Sequence, residues 1–498
     1  MGNTTAQETL DLVKGALSTP ADDIQKSITT ANGLAAYDLQ GPAKNLYPVL
    51  TPLRNSIPRV GGGTGVATNW KTVSKILGSG FGEMPWVPEG QRSARMSYTT
   101  APKAANYVTI GEEDQVTFEA VNAGKTFEDL RATMTVRLLQ KTMLKEETAI
   151  LAGNGSLSLG VPGTPTLSAA GSGATLPAAT YSVIVVALTL EGYLQSSVAN
   201  GLATTKTITG ADSNTYVLNG GSSNKSAAAT QAVTLGQTLS ASVAAVNGAV
   251  GYAWFTGTAG NEKLEQITTI NSATFSAPLL GTGIAATTIA ADYSSNPGLA
   301  FDGLLTTAFT PANSAYVKYM STGTAGTGTP LTASGRGTVV EIDDALKGMW
   351  DNSQLGATVM YVNSQELKSI TAKCLASGNA SLLQYNNQTA DGAPYRLTAG
   401  GVIAMYFNPY TPDGGKMIPV RLHPKVPAGT ILLYCEELPM QYQNNNVSNV
   451  AEIKTRQDYY QIDWPVTKRS YETGVYSEQV LAIYAPFAMA VIANIANG

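Results

Sequence analysis

The residue types that most often carry chemistry are sparse in this 498-residue chain, and they do not cluster. Its one histidine, His423, stands in the run RLHPKVPAG, beside a proline and ahead of a strand-like segment. The local text offers no carboxylate, thiol or second histidine with which to build a triad or hold a metal ion. A serine nucleophile would have to work through this residue, and no G-x-S-x-G elbow accompanies it. His423 is expected to be structural or solvent-facing. Gly61 to Gly65 (GGGTG) resembles a phosphate cradle only in outline. It lacks the Lys-Ser/Thr pair that would reach phosphate and magnesium and follows Pro58 rather than a clean strand, so a flexible turn is expected. Glu112, Glu113 and Asp114 lack the Asp/Asn/Gly spacing of a calcium loop and read as a solvated strand end. Asp343 and Asp344 fall in the first turn of a helix, where the positive end of the macrodipole accounts for them. Cys374 and Cys435 have no C-x-x-C spacing and are too few for a disulfide scaffold, so two reduced core thiols are expected. No catalytic, cofactor-binding or metal-ligating set emerges. The expectation is a non-enzymatic, architectural protein without a cofactor.

Composition supports that direction. Hydrophobic residues make up 43% of the chain, but charged residues only 13%, against a norm near ~25%. The surface is therefore either neutral and polar or hidden in subunit contacts. A net charge of −4 and the absence of a Lys/Arg tract argue against a protein that grips nucleic acid by neutralising phosphates, though weak contact with DNA is compatible. The N-terminal run MGNTTAQETLDLVKG has no basic start followed by an apolar core. The apolar run Val480 to Ala493 contains Pro486 and is shorter than the ~20 residues a membrane span needs. A soluble protein, cytoplasmic when made, is expected.

The elements that would organise such a chain can be read in order. Residues 1–44 hold a short amphipathic helix candidate (Leu10, Val13, Leu17) and polar text, as in a flexible or docking end. Leu46 to Val66 mixes prolines and glycines with apolar residues and suits an extended arm laid on another surface. Asn69 to Gly78 and Ala101 to Gly111 read as the strands of a long hairpin with a Gly/Pro-rich tip. Isolated hairpins are marginal in water, so this one needs a surface, such as another subunit. Thr126 is the expected N-cap of the main helix, with Asp129 in capping-box position and Glu128 near the positive end. Phe127, Leu130, Met134 and Leu138 form its stripe, widened by Val136, Leu139, Met143 and Ile150, and AGNG stops it.

Residues 156–300 change composition abruptly, with eight charged side chains (Glu191, Lys206, Asp212, Lys225, Glu262, Lys263, Glu265, Asp292) and no Cys, His or Met. Leu176 to Tyr193 and Gly248 to Gly257 give strand-like runs punctuated by Gly, Asn and Ser, as in a sandwich of short strands. The wording is similar to fibronectin type III and immunoglobulin-like modules. Mixed α/β text resumes at Phe301. A helix from Glu341 to Trp350 should bury Ile342, Leu346, Met349 and Trp350, and a strand follows. Asn363 with Glu366 signals the start of a helix lined by Leu367, Ile370 and Cys374. Strands recur from Gly400 to Met440, including Pro427 to Cys435, and the end reads as Val480 to Tyr484 and Ala488 to Ile495 joined at Pro486.

Outside the Gly/Ala/Ser/Thr-rich stretch, the text resembles the major capsid proteins of tailed bacteriophages of the Hong Kong phage type. The resemblance rests on Ala149-Ile150-Leu151-Ala152-Gly153-Asn154-Gly155 at the helix end, Gly303-Leu304-Leu305 after the gap, the helix-strand-helix run Ile342 to Leu375, the Pro427-to-Thr430 turn, and Pro486-Phe487-Ala488 in the closing pair. It implies an α+β capsid fold with an inserted all-β sandwich. The implied division is an N-terminal segment 1–44, an N-arm 45–68, an E-loop hairpin 69–112, a spine helix and peripheral domain 113–155, an inserted immunoglobulin-like sandwich 156–297, a peripheral return 298–336, an axial domain 337–467 and C-terminal strands 468–498. It further implies pentamers and hexamers of an icosahedral or prolate shell around double-stranded DNA, located in the virion and assembled in the host bacterial cytoplasm. Portal, scaffolding and decoration proteins would be partners. Some relatives crosslink a hairpin lysine to an asparagine; Lys71, Lys75 and Lys103 lie near the hairpin, but lysine abundance alone explains them.

The Gly- and Pro-containing ends GNGS and SNPG suggest a hinged, outward-facing insert. Deleting Ser156 to Pro297 is then expected to leave assembly possible, and deleting Gly80 to Ser97 to weaken it. A cellular nanocompartment shell of the same fold is the nearest alternative, and a secreted adhesin or enzyme with a fibronectin-like module a more distant one.

Overall fold

The computed structural model describes residues 49–77, 86–92, 97–125, 129–209, 213–334, 337–376, 403–412, 414–439 and 448–496. Two compact units divide the chain, one from Met1–Pro48 and Val116–Thr133, the other from Val49–Gln115 and Met134–Gly498. In the first unit the described residues include α2 (Phe118–Gly124), whose N-cap Thr117 accepts the Ala120 amide. Asp129 Oδ1 accepts the amides of Arg131 and Ala132, so Asp129 rather than Thr126 caps the long helix; Thr126, Phe127 and Glu128 lie outside the described residues. The expected N-terminal helix likewise lies outside them.

The second unit begins with the arm. It is not uniformly extended: Pro52 opens a five-residue helix, α1 (Pro52–Ser56), and Arg59–Val60 (β1) forms a brief strand. The hairpin strands β2 (Ala67–Leu77) and β3 (Ser97–Asn106) pair antiparallel from Ala67↔Asn106 to Leu77↔Ser97. The second expected strand breaks at Tyr107, and β4 (Val108–Thr117) leaves the hairpin for another sheet.

The long helix α3 (Leu130–Ala152) has 23 residues, about 35 Å at the usual rise. Met134, Leu138, Thr142, Glu146 and Ile150 form its buried i,i+4 stripe. Val136 and Leu139, expected to widen it, are 55% and 38% exposed. Two carboxylates and a threonine take up the inner face instead.

Between residues 166 and 275 the chain makes β5 (Thr166–Ala170), β6 (Ala179–Leu188), β7 (Thr205–Thr209), β8 (Thr215–Asn219), β9 (Ser222–Lys225), β10 (Ala229–Val233), β11 (Thr238–Ser242), β12 (Gly251–Gly257), β13 (Lys263–Thr268) and β14 (Ser272–Phe275). A five-stranded sheet of β10, β6, β12 and β13 with β9, and a three-stranded sheet of β14, β11 and β5, close on one core that includes Leu176, Val183, Val185, Leu239, Tyr252 and Trp254. Leu190–Gln195 is a short helix (α4) capped by Thr189, where a continuing strand was expected. β7 and β8 form a separate ribbon.

The remaining elements are α5 (Leu304–Phe309), β15 (Tyr316–Tyr319), α6 (Val340–Ser353), β16 (Val359–Val362), α7 (Ser364–Ala376), β17 (Met405–Asn408), β18 (Lys416–Leu422), β19 (Ile431–Tyr434), β20 (Ala451–Asp463), β21 (Ser470–Ile483) and β22 (Met489–Ala493). A six-stranded mixed sheet, β15-β22-β19-β16-β18-β17, separates two cores. Alternation along a strand assigns the faces: Val359 and Tyr361 of β16 join one core, Met360 and Val362 the other. The first core also holds Ile150, Leu151 and Leu304, and the second Ile342, Leu346, Met349 and Ile370 from α6 and α7. Trp350, expected to be buried, is only partly so.

A four-stranded sheet, β1-β20-β21-β4, completes the fold. β20 and β21 pair from Ala451↔Ile483 to Asp463↔Thr473. The expected division at 467/468 therefore falls in the turn of a single ribbon.

Candidate functional site: the arm dock and the hairpin

Two adjacent carboxylates on the buried face of α3 hold the arm. α1 begins without a side-chain cap of its own, so its first amides need acceptors. Glu147 supplies them: Oε1 accepts Leu53 N at 2.9 Å and Oε2 accepts Arg54 N at 2.8 Å. A carboxylate at a helix N-terminus also meets the favourable end of the macrodipole. Glu147 Oε1 lies 2.6 Å from His423 Nε2, and both side chains are almost wholly buried. The Lys425 amide donates to His423 Nδ1 at 3.1 Å, so Nδ1 is the acceptor nitrogen and Nε2 carries the proton given to Glu147. His423 is thus structural, and its partner stands 276 positions away in the sequence.

Glu146 secures the arm's two arginines. Its Oε2 accepts Arg54 Nε at 2.8 Å, and its Oε1 accepts Arg59 Nη1. Tyr459 of β20 donates its hydroxyl to Glu146, and both guanidinium groups lie over its ring at 5.2 and 5.3 Å. Arg59 also reaches Asp458 and, at 3.0 Å, Gln479. Burial opposes the charge on both arginines, but their bonds to Tyr459, Glu146 and Asp458 outweigh it and raise their pKa. Burial, reinforced by the charge of Glu146, holds the Tyr459 phenol well above its ordinary value.

The glycine run is the turn that carries the arm past the ribbon. Gly62 has φ +83°, and a Cβ at Gly63 would sit 2.3 Å from the Tyr107 hydroxyl. Gly63 N donates to Thr455 O at 3.0 Å. These contacts make it a structural turn.

Beyond it, β2 and β3 form a two-stranded sheet of their own. Its root is fastened: Trp70 Nε1 donates to Ile483 O at 3.2 Å, and Lys103 Nζ donates to Asn313 Oδ1 at 2.6 Å. At the far end Trp86 is 82% exposed, with Val87 also exposed. Lys71 is exposed, and the Lys75 side chain lies outside the described residues.

The other acids do not converge. Glu112 pairs with Lys145, Glu113 accepts from Tyr476, and Asp114 Oδ1 accepts its neighbour Gln115 N. Asp343 has specific partners beyond the helix dipole, accepting Tyr406 and Thr338 hydroxyls at 2.7 Å each, and Asp344 pairs with Lys318 at 2.8 Å. Cys374 and Cys435 are buried thiols on opposite faces of the six-stranded sheet. Burial pushes them up to about 11 and about 12 respectively. Among the described residues no group of His, Cys, Asp and Glu could hold a metal ion.

Glu366 departs from its expected capping role. Asn363 Oδ1 caps α7 by accepting Gln365 N, but Glu366 turns away and accepts Gly429 N at 2.8 Å. Its Oε2 has no hydrogen-bond partner, and burial pushes the carboxyl up to about 7 against the opposing Gly429 bond.

No protein-family model matches the chain, and no curated protein matches it. Among solved structures it is similar to the encapsulin SrpI complex of Synechococcus elongatus PCC 7942, at 9% identity and TM-score 0.40 over 94% of this chain and 95% of that one. The capsid of the native GTA particle aligns at 9% identity and TM-score 0.41, covering 94% and 99%. The capsid of Cyanophage A-1(L) aligns at 10% identity and TM-score 0.41, with the same coverage.

Proposed function

We propose that this chain is a shell subunit, the major capsid protein of a tailed bacteriophage. The carrying observation is the hairpin: a long ribbon paired with no other sheet among the described residues, fastened at its root and ending in an exposed tryptophan. A two-stranded ribbon is marginal in water, and an exposed Trp is a strong anchor in a protein interface. A second copy of the chain is the surface it suits. The low charge content and the sequence resemblance support the same reading. In it, residues 45–68 and 69–112 are the arm and E-loop, residues 156–297 an insertion on the outer surface, and the copies form pentamers and hexamers. The enclosed double-stranded DNA would be touched weakly, and portal, scaffolding and decoration proteins would be further partners. No catalysis is part of this role.

Electron microscopy of the protein expressed alone and with its neighbouring genes tests the proposal. Closed particles are the expected result. A stable monomer in both preparations would refute it.

A further inference from the structure

The expected hinge between the two-sheet unit and the rest of the chain is absent from the contacts. At the root, Asn154 Nδ2 donates to Leu157 O and Ser294 O at 2.7 Å each. Asp302 Oδ1 accepts Gly155 N at 2.8 Å and Ser156 N at 3.0 Å. The entering and leaving strands of chain are thereby tied together and to the end of α3.

Three further attachments join the two-sheet unit to the rest of the chain, the third of them beside the root, since a Cβ at Gly248 would lie 2.5 Å from the Leu157 side chain. Asn271, between β13 and β14, and Asn494, just after β22, are both buried and bond reciprocally: Asn494 Oδ1 accepts Asn271 N at 2.7 Å, and Asn494 Nδ2 donates to Asn271 Oδ1 at 3.0 Å. Each has a second anchor, Asn494 Nδ2 to Met320 O at 2.7 Å and Asn271 Nδ2 to Val243 O at 2.6 Å. Next to this pair, Gly326 N donates to Ser272 Oγ at 2.9 Å, and a Cβ at Gly326 would lie 1.6 Å from Thr274 Oγ1. Asn247 Nδ2 donates to Phe309 O at 2.6 Å while its Oδ1 accepts the Tyr319 hydroxyl at 3.0 Å. Apolar packing crosses the boundary as well, since Leu190 and Val250 belong to the core that contains Leu304 and Val491.

We propose that the two-sheet unit is an internal brace that holds strand β22 and the 320–330 loop in place, so that it and the six-stranded sheet open as one cooperative body. Buried amides bonded on every side are costly to part because each would be left without a partner away from water. A hinged appendage would show the opposite, a solvated linker and few contacts beyond the root. The inference concerns the single chain and stands whether or not the chain forms shells.

Hydrogen exchange on the full-length protein in a denaturant series tests it. Amides of β6, β12, β19 and β22 are expected to lose protection together in the native chain. The double variant Asn271→Ala with Asn494→Gly should uncouple them by tenfold or more in opening constant, the glycine retaining the left-handed backbone that Asn494 adopts at φ +64°. Separate protection levels for the two sheets in the native chain, or effects of the two substitutions that simply multiply in a double-mutant cycle, would overturn the brace. Because the native measurement decides alone, poor folding of the variant does not rescue the idea.

Discussion

Replacing Glu366 with Gln should change how stability depends on pH. In the folded chain its carboxyl sits at about 7 rather than the ordinary 4.5, because burial disfavours the charged form and only the Gly429 amide opposes this. Between those two values the folded state binds more protons than the unfolded one, so stability falls as pH rises through that window and levels off above about 7. Each tenfold change in proton affinity is worth roughly 1.4 kcal/mol, so the full effect is on the order of 3 kcal/mol. Glutamine has similar shape and no proton to lose. Below pH 4.5 the two proteins should be nearly equal, and at pH 8 Glu366→Gln should be the more stable by up to that amount. Carboxylates held below their ordinary value, such as Asp458, whose bonds to Arg59 outweigh its burial, tilt the native profile the other way at lower pH. The difference between variant and native profiles removes that contribution. Urea unfolding followed by tryptophan fluorescence at intervals from pH 4 to 8.5 measures it. Parallel profiles for the two proteins would refute the reasoning.

Glu147→Gln should cost about 1.5–3 kcal/mol, the worth of hydrogen bonds to a charged group, and protease sensitivity near residues 52–60 would report the loosened arm. Glu146→Ala removes the carboxylate that Arg54 and Arg59 share but leaves Arg59 its Asp458 and Gln479 and Arg54 its Tyr459, and should cost about 1.5–3 kcal/mol, read by denaturant midpoint. Asp129→Ala removes the cap of α3 and should cost about 1 kcal/mol, measured in the same way. Deleting Gly80 to Ser97 should reduce closed particles while leaving the subunit's thermal midpoint nearly unchanged; normal yields by electron microscopy would contradict the inter-subunit role of the hairpin. Deleting Ser156 to Pro297, expected from the sequence to be tolerated, should instead give insoluble chain, checked by expression and centrifugation.

Much of this architecture is legible in the sequence because the signals are local. The AGNG stop of α3, the strand text of Pro427 to Cys435 and the helices over Ile342 and Ile370 follow from periodicity and punctuation. What escapes is set by distant residues. Glu146 and Glu147 look like an ordinary solvated helix face, and nothing near them indicates that Arg54, Arg59 and His423 converge there. β20 reads AEIKTRQDYYQID, with no sustained apolar alternation, because beyond Thr455 it is largely exposed and its pairing with β21 alone makes it a strand. Leu190 to Tyr193 continues an apolar run but becomes a helix once Thr189 can cap it. The hinge suggested by GNGS and SNPG does not form, because the side chains of Asn154 and Asp302 tie the junction and the Asn296 amide donates to Asn154 O at 2.9 Å.

The arm dock also has a consequence in time. Arg54 and Tyr459 are separated by 405 positions, and β1 joins the four-stranded sheet only alongside β20. At about 5–20 residues per second of synthesis, roughly 20–80 s pass between the emergence of residues 52–60 and of the ribbon that receives them. Among the segments of its unit, the first to be made is thus one of the last to find its place. For that interval β1 is a strand without its partner, and Arg54 and Arg59 have only Glu146, made 92 and 87 positions after them, as a counter-charge until Tyr459 and Asp458 emerge.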